Sequence, residues 1–293
     1  MSGASQIPLV PVVNKGLSYM NGLQMTWTDG DTLTIAQGQC RNSTNVNDII
    51  LARPPLNNGT AVTTPFTVST AIVGAGGLDQ GTMANNTFYA VYVISSSENS
   101  WIDLPPSELQ SLSVPPFTSP DPTAAVTQSA YYIQANVLIS TSFTNPLLPY
   151  GFDQFRRIGA VLTDGSANFL AFDQRGNGVD RTMTYRASIA TDITAGSSAT
   201  FAAVDVSASI PVAGIEGIFK CLFTPTAADD QLALRCGESA TDEGQAVASG
   251  SVGAVVTAAM LYCPVGLTLA SGIDYKVTGS AVAINTQGYV DEL

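Results

Sequence analysis

Short runs of hydrophobic or alternating hydrophobic and polar residues follow one another along this chain, and none has the period of a long amphipathic helix. Glycine, proline, asparagine and aspartate interrupt these runs about every 8–12 residues, which is typical of all-β proteins. We therefore predict an all-β fold. The predicted strands are 23–27, 32–36, 48–52, 66–73, 88–94, 131–139, 156–163, 168–174, 183–189, 199–206, 217–223, 231–236, 254–263, 274–277 and 281–285.

Residues 156–174 form the clearest local unit, because two β-rich runs flank Asp164-Gly165-Ser166. An Asp-Gly pair supplies the positive φ angles that a tight hairpin turn needs. The pattern predicts a β-hairpin here, with its turn at Asp164 and Gly165.

The predicted strand 88–94 (FYAVYVI) is hydrophobic on both of its faces. Successive side chains of a strand point to opposite faces, so such a strand must be covered twice. In a small β-domain the second cover is often another subunit. The pattern therefore predicts a contact between subunits at this strand.

The length of the chain favours about two domains. A short polar, glycine-rich segment at 175–182 marks the predicted boundary between an N-terminal β-domain, 1–176, and a C-terminal domain, 183–293, with a β-sandwich or jelly roll. Within the first domain, the proline-rich residues 95–122 predict a long surface loop. The first dozen residues are either an arm that docks on a neighbour or a disordered terminus.

Composition narrows the functional classes. The chain has no histidine, only 12% of it is charged, and 11 basic against 23 acidic residues give a net charge of -12. An ordinary protein is about 25% charged, and histidine is the commonest general base and metal ligand. The negative field opposes binding to nucleic acid and to anionic membranes. No apolar stretch is long enough for a membrane span, and we expect no signal peptide.

The chain lacks residues that common catalytic arrangements require. Without histidine, neither a Ser-His-Asp nor a Cys-His arrangement exists within this chain. Hydrolysis of glycosides needs only two carboxylates, and the candidate pairs lie in turn-like stretches, where solvated turn acids are the favoured interpretation. We predict that the protein is not an enzyme and uses no cofactor. The pairs are Asp29 with Asp31, Asp229 with Asp230, and Asp242 with Glu243.

Metal sites are equally poorly supported. Cys40, Cys221, Cys236 and Cys263 have irregular spacings. The last three each share a strand face with hydrophobic residues, which favours buried thiols over a zinc site. One disulfide among the last three cysteines stays open as an alternative. The oxygen-rich residues 173–180 miss the spacing of a calcium loop, and a turn is favoured there. We predict no bound metal.

Five aromatic residues carry the strongest indication of a contact surface, since they lie in or beside turn-like segments. Exposed aromatic side chains are used by surfaces that bind sugars or proteins. The competing interpretation is that they fasten loops to the core. The candidates are Trp27, Trp101, Phe117, Tyr150 and Phe152.

Four stretches, 22–51, 88–94, 150–174 and 274–293, together resemble virion structural proteins of tailed bacteriophages, of the tail-fibre, appendage or head-decoration type. The resemblance implies a β-rich, non-enzymatic homotrimer, assembled in the bacterial cytoplasm into a virion. It implies capsid, collar or tail proteins as partners, and a host-surface glycan as a further candidate. Docking is assigned to the N-terminal domain on the resemblance. No shaft repeats are evident, so a long fibre is not expected.

Three alternatives stay open beside a short tail or collar appendage with host-surface adhesion. Within the same class, the chain is a capsid decoration (cement) or head-fibre protein. From another class, it is a carbohydrate-binding, lectin-like module. The third alternative is a polysaccharide depolymerase that uses one of the acid pairs.

Overall fold

The computed structural model confirms the all-β prediction. Its described residues contain 21 strands and no α-helix. Predictions on residues 1–18 and 104–129, on Asp229, and on Asp242 with Glu243 lie outside the described residues. The structure describes 19–52, 65–96, 101–103, 130–132, 135–176, 178–186, 189, 191–227, 230–237, 239, 246–249, 257–266, 268–269, 272–279 and 281–293.

Eleven strands precede residue 163, and their pairings are antiparallel. They form four small sheets with the orders β1-β4-β5, β2-β3-β6, β10-β7-β11 and β8-β9. Their bounds are β1 Met20–Gly22, β2 Met25–Asp29, β3 Thr32–Ile35, β4 Gly38–Arg41, β5 Asp48–Leu51, β6 Phe66–Ser69, β7 Phe88–Ser95, β8 Trp101–Asp103, β9 Ala130–Tyr132, β10 Asn136–Ser140 and β11 Gln154–Leu162.

Ten further strands build two larger sheets. One has the order β12-β13-β21-β16-β19, with β14 also paired to β21, and the other has the order β15-β20-β17-β18. The strands β17 and β18 lie against β19, so the two sheets pack on each other. The bounds are β12 Phe172–Arg175, β13 Asp180–Tyr185, β14 Thr191–Gly196, β15 Ala202–Val204, β16 Gly214–Phe223, β17 Gln231–Cys236, β18 Ala246–Ser249, β19 Thr257–Pro264, β20 Ile273–Val277 and β21 Val282–Glu292.

Several strands have no counterpart in the prediction, among them β4, β8, β14 and β18. Their sequences, such as GQCR and TDITAG, are short, polar or rich in small residues. Strand conformation there comes from pairing with a neighbouring strand, which overrides weak local propensity. In the opposite sense, the predicted strand 131–139 is two strands, β9 and β10, in different sheets.

The predicted hairpin at 156–174 is confirmed only around its turn, where Thr163 and Phe169 form an antiparallel bridge and Leu170 N–H donates to the carbonyl of Leu162 at 2.9 Å. A turn does form, with Asp164 N–H bonded to the carbonyl of Asn168 at 2.8 Å. However, β11 pairs with β7 and β12 pairs with β13, so the flanking strands enter different sheets. The positive φ angle is found at Ala167, 64°, and not at Gly165. The Asp164 carboxylate holds this turn by accepting the Ser166 and Asn168 amides.

The predicted subunit contact at strand 88–94 loses its basis, because this chain itself covers both faces of β7. Tyr89, Val91 and Val93 face the main core. The other face, which includes Tyr92, packs in a second cluster with Phe152 and neighbouring apolar residues. The segment 141–152 supplies that second cover by folding back over the sheet.

The range predicted as a domain boundary contains the end of β12 and the start of β13, which pair with each other and belong to one sheet. The main core cluster likewise runs from Leu23 to Tyr289 and takes residues from both predicted domains. The division into two domains stays a prediction.

Candidate functional site

The aromatic candidates Tyr150 and Phe152 have opposite environments. Tyr150 is 61% exposed at the tip of a turn in which Phe152 N–H donates to the carbonyl of Pro149 at 3.1 Å. Phe152 is buried against β7. Tyr150 therefore fits the prediction of a contact residue, and Phe152 fits the competing one, that of a residue fastening a loop to the core.

Trp27 also fastens a loop. It is half-buried and packs against the main core, and its indole N–H donates to the carbonyl of Phe169 at 3.0 Å. The guanidinium of Arg186 lies 5.9 Å from the ring centre and pairs with Asp173 at 2.6 Å. Trp27 thus joins β2 to the segment before β12.

Trp101 lies in β8, paired with Tyr132 of β9, and its side-chain environment is not described. Phe117 lies outside the described residues.

The exposed loop around Tyr150 is held in a fixed shape. Leu147, 57% exposed, donates its N–H to the Asp79 carboxylate at 3.1 Å. The carbonyl of Ser142 accepts the Tyr92 hydroxyl at 2.8 Å. We define the side chains of Leu147 and Tyr150 as the loop surface. Since its backbone is anchored at both ends, this surface loses little conformational entropy when it binds a partner.

A second exposed surface, on β19, was missed by the sequence reasoning. Met260 and Tyr262 are 51% and 55% exposed on one face of this strand. Leu261 and Cys263 face the core on the other side. The alternation of residues 258–263 could have indicated this exposed face, but the sequence prediction drew only the buried face from it.

The described acids of the candidate pairs hold turns. Asp29 accepts the N–H of Asp31, and Asp31 accepts the hydroxyl of Thr70. Asp230 accepts the amides of Thr226 and Ala227 and the Thr226 hydroxyl. The hydrogen bonds from Ala227 and Thr226 lower the pKa of Asp230. These are the roles expected of turn-capping carboxylates.

Asp230→Asn is expected to destabilise the protein at pH 7 and to reduce its loss of stability in acid. The folded-state pKa of Asp230 lies below the usual value of an aspartate carboxyl. Its stabilising contribution is therefore present above pH 4 and is lost as the pH falls through the folded-state pKa. Urea unfolding at several pH values between 7 and 2 measures this. Asp180→Asn, at an exposed position of β13, controls for the loss of one charge. An unchanged acid dependence in Asp230→Asn would contradict the assignment.

A partly buried carboxylate, Asp192, binds two hydroxyls. It accepts Ser209 Oγ at 2.7 Å, and the Thr286 hydroxyl and amide at 2.8 Å each. Burial raises the pKa of Asp192, opposed by these hydrogen bonds. Ser209 and Thr286 have no exposed surface, and their hydroxyls are bound within the cluster. It joins β14 to β21 and to the loop after β15.

A second buried cluster, the arginine cluster, contains Arg157, Arg181 and Asp291. Arg157 binds both Asp291 oxygens at 2.6 and 2.7 Å. Arg181 is fully buried and donates to the carbonyls of Gly22 at 2.6 Å and Leu23 at 2.7 Å. Burial lowers the pKa of Arg181 to about 10, so it stays charged at neutral pH. The cluster connects the first described strands with β13 and β21.

The four cysteines are in the thiol form, with no disulfide between them. Burial raises the pKa values of Cys40, Cys221 and Cys263 to about 12, so these thiols are protonated at neutral pH and are weak nucleophiles and ligands. Within the described ranges, no group of three metal-ligating side chains comes together.

The chain matches no known protein family, no curated protein and no solved structure. In the part of the chain that the structure describes, no helix is long and apolar enough to cross a membrane. From the exposure of their side chains, we take two apolar surfaces as the candidate functional site. They are the loop surface and the outer face of β19.

Proposed function

We propose that this protein is a structural component of a bacteriophage virion, a short tail or collar appendage or fibre protein with host-surface adhesion. The main support for this proposal is the resemblance of the four stretches to virion structural proteins of tailed bacteriophages. The composition supports it, because a histidine-free chain with 12% charged residues changes its charge little near neutral pH. The exposed and anchored loop surface provides a place for adhesion.

In this proposal the chain forms two β-sandwich-like or jelly-roll-like domains and a homotrimer, and the N-terminal domain docks on capsid, collar or tail proteins. The packing of β17 and β18 against β19 supports a sandwich in the C-terminal half. Since β7 is covered within the chain, the trimer rests on the resemblance. Native mass spectrometry tests it, and a clean monomer, or any mass that is not a multiple of three subunits, would contradict it.

Immunogold labelling of bacteriophage particles whose genome encodes this chain tests the virion assignment and the location of the protein on the particle. Label at the tail or collar is the expected result. Label over the head would favour the alternative of a decoration or head-fibre protein. Particles without label, beside labelled purified protein as the positive control, would overturn the virion assignment.

A lectin-like function is the second candidate, and the 61% exposure of Tyr150 favours it. A ring that stacks on a sugar contributes roughly 1–3 kcal/mol, so Tyr150→Ala is expected to weaken glycan binding about tenfold or more. A glycan array of bacterial surface polysaccharides provides the measurement. Val46→Ala, at a 67% exposed position elsewhere, is the matched control. If the protein binds no glycan, this candidate fails while the virion assignment stands.

A further inference from the structure

The outer face of the strands β16 and β19 carries an aromatic ring beside two opposite charges. The register of the two strands is continuous and pairs Ile218 with Tyr262. Successive side chains of a strand point to opposite faces, and Phe219 faces the main core. Glu216, Ile218 and Lys220 therefore share the outer face with Tyr262. We define the side chains of Glu216, Lys220 and Tyr262 as the sheet surface.

The sheet surface has a rigid base. The strand β16 is hydrogen-bonded to β21 on one side and to β19 on the other. Ile218 is only 4% exposed although it lies on the outer face, so neighbouring side chains cover it. Tyr262, its cross-strand neighbour, remains 55% exposed. The tyrosine thus presents an aromatic surface on a backbone that loses little conformational entropy when it binds a ligand.

The two charged side chains lie on either side of the tyrosine along β16. Lys220 is exposed and Glu216 is half-buried. Each is two residues from Ile218, which is about 7 Å along a strand, so the two are about 14 Å apart. None of the ion pairs formed among the described residues includes Glu216 or Lys220. The sheet surface therefore offers a charged hydrogen-bond acceptor on one side of the ring and a charged donor on the other.

This chemistry favours a neutral saccharide as the occupant. A protein partner would have to place an opposite charge against each of the two side chains, because a charge that is buried without a partner destabilises a complex. A sugar hydroxyl both donates and accepts hydrogen bonds, so one saccharide satisfies a carboxylate and an ammonium, while the aromatic ring packs against its apolar face. The net charge of -12 repels an acidic polysaccharide.

We propose that the sheet surface binds a neutral saccharide of a bacterial cell surface, with a sugar ring stacked on Tyr262. The carboxylate of Glu216 accepts a hydrogen bond from one sugar hydroxyl, and the ammonium of Lys220 donates to another. This saccharide site rests on the adhesion part of the proposed function and gives its ligand a chemical class. It lies on a different surface from Tyr150.

An array of neutral and acidic bacterial polysaccharides tests the site. The wild-type protein should bind neutral polysaccharides, with an affinity that changes less than about twofold between about 0.05 and 0.5 M salt, since the ligand carries no charge. Tyr262→Ala should weaken binding about tenfold or more, because the stacking ring is lost. Tyr262→Phe keeps the ring and should stay within about threefold of the wild type. Val46→Ala, at a 67% exposed position outside the sheet surface, is the control.

Glu216→Gln and Lys220→Met should each weaken binding about threefold or more, since each removes a charged hydrogen-bonding group. Far-UV circular dichroism shows first that every variant retains its strands. Wild-type binding that is unchanged in folded Tyr262→Ala, or that is lost only in Tyr150→Ala, overturns the saccharide site and leaves adhesion standing. A preference for acidic polysaccharides also overturns it. If the wild type binds no polysaccharide, adhesion and this site fail together, while immunogold labelling still decides the virion assignment.

Discussion

Replacing Arg181 by methionine is expected to lower the free energy of unfolding by about 3–5 kcal/mol. The methionine is close in length but has no N–H donor. The buried carbonyl of Leu23 and the partly buried carbonyl of Gly22 then lose their short hydrogen bonds, and an unsatisfied buried group costs about 1–3 kcal/mol. Urea unfolding at pH 7 measures the change. Arg175→Met, at an exposed position of the adjacent strand β12, should change stability by about 0.5 kcal/mol or less.

The effect of Arg181→Met should also be localised. The carbonyls that Arg181 binds belong to the segment around β1 and β2, while Arg181 itself is on β13. Amides of the sheets that contain β1 and β2 should therefore exchange with solvent faster than those of the β17–β18 pair. Arg181→Lys should recover only part of the loss, since an ammonium lacks the planar fork of the guanidinium. Equal loss in Arg175→Met and Arg181→Met would contradict this role.

The all-β fold was predictable because the alternation of side chains is local information. The predicted strand 231–236 coincides with β17, and 217–223 lies within β16. Pairing was not predictable, since it depends on residues far apart in sequence. The hairpin at 156–174 shows this, because a turn formed at Asp164 and yet its two strands joined β7 and β13.

The surfaces were only partly predictable for the same reason. Tyr150 and Phe152 are two residues apart in one turn, and only the fold of the segment over β7 decides which is exposed. The arginine cluster did leave a signal. Arg181, Met183 and Tyr185 lie on the same face of β13 and are all buried. An arginine on the hydrophobic face of a predicted strand could therefore have indicated a buried cation.

Asp291→Asn is expected to lower the free energy of unfolding by about 3 kcal/mol or more. The substitution keeps the shape of the side chain and removes its charge. Asp291 is fully buried, Arg157 is 15% exposed, and one guanidinium nitrogen of Arg157, Nη1, donates to both Asp291 oxygens. Loss of the carboxylate leaves the Arg157 charge largely uncompensated in a poorly solvated site. Urea unfolding at pH 7 gives the magnitude, and Asp180→Asn on β13 is the exposed control.

A double-mutant cycle then tests whether Asp291 compensates the charge of Arg157 alone or the charges of both arginines. If Asp291 served Arg157 alone, Arg157→Met with Asp291→Asn would remove both charges, and the double variant would recover much of the loss. However, Arg181 is the cross-strand neighbour of Asp291, and the carboxylate acts electrostatically on it as well. The double variant still leaves Arg181 buried without its nearest carboxylate, so we expect incomplete recovery.

Comparison with Arg181→Met completes the argument. Because one carboxylate compensates two arginines, Asp291→Asn should cost less in the Arg181→Met background than in the wild type, by about 1 kcal/mol or more. Additive effects of the two substitutions would mean that Asp291 stabilises Arg157 only. Non-additivity would instead place the β11, β13 and β21 contacts in one cooperative unit, in which two cations and a single acid connect the beginning of the described chain to its end.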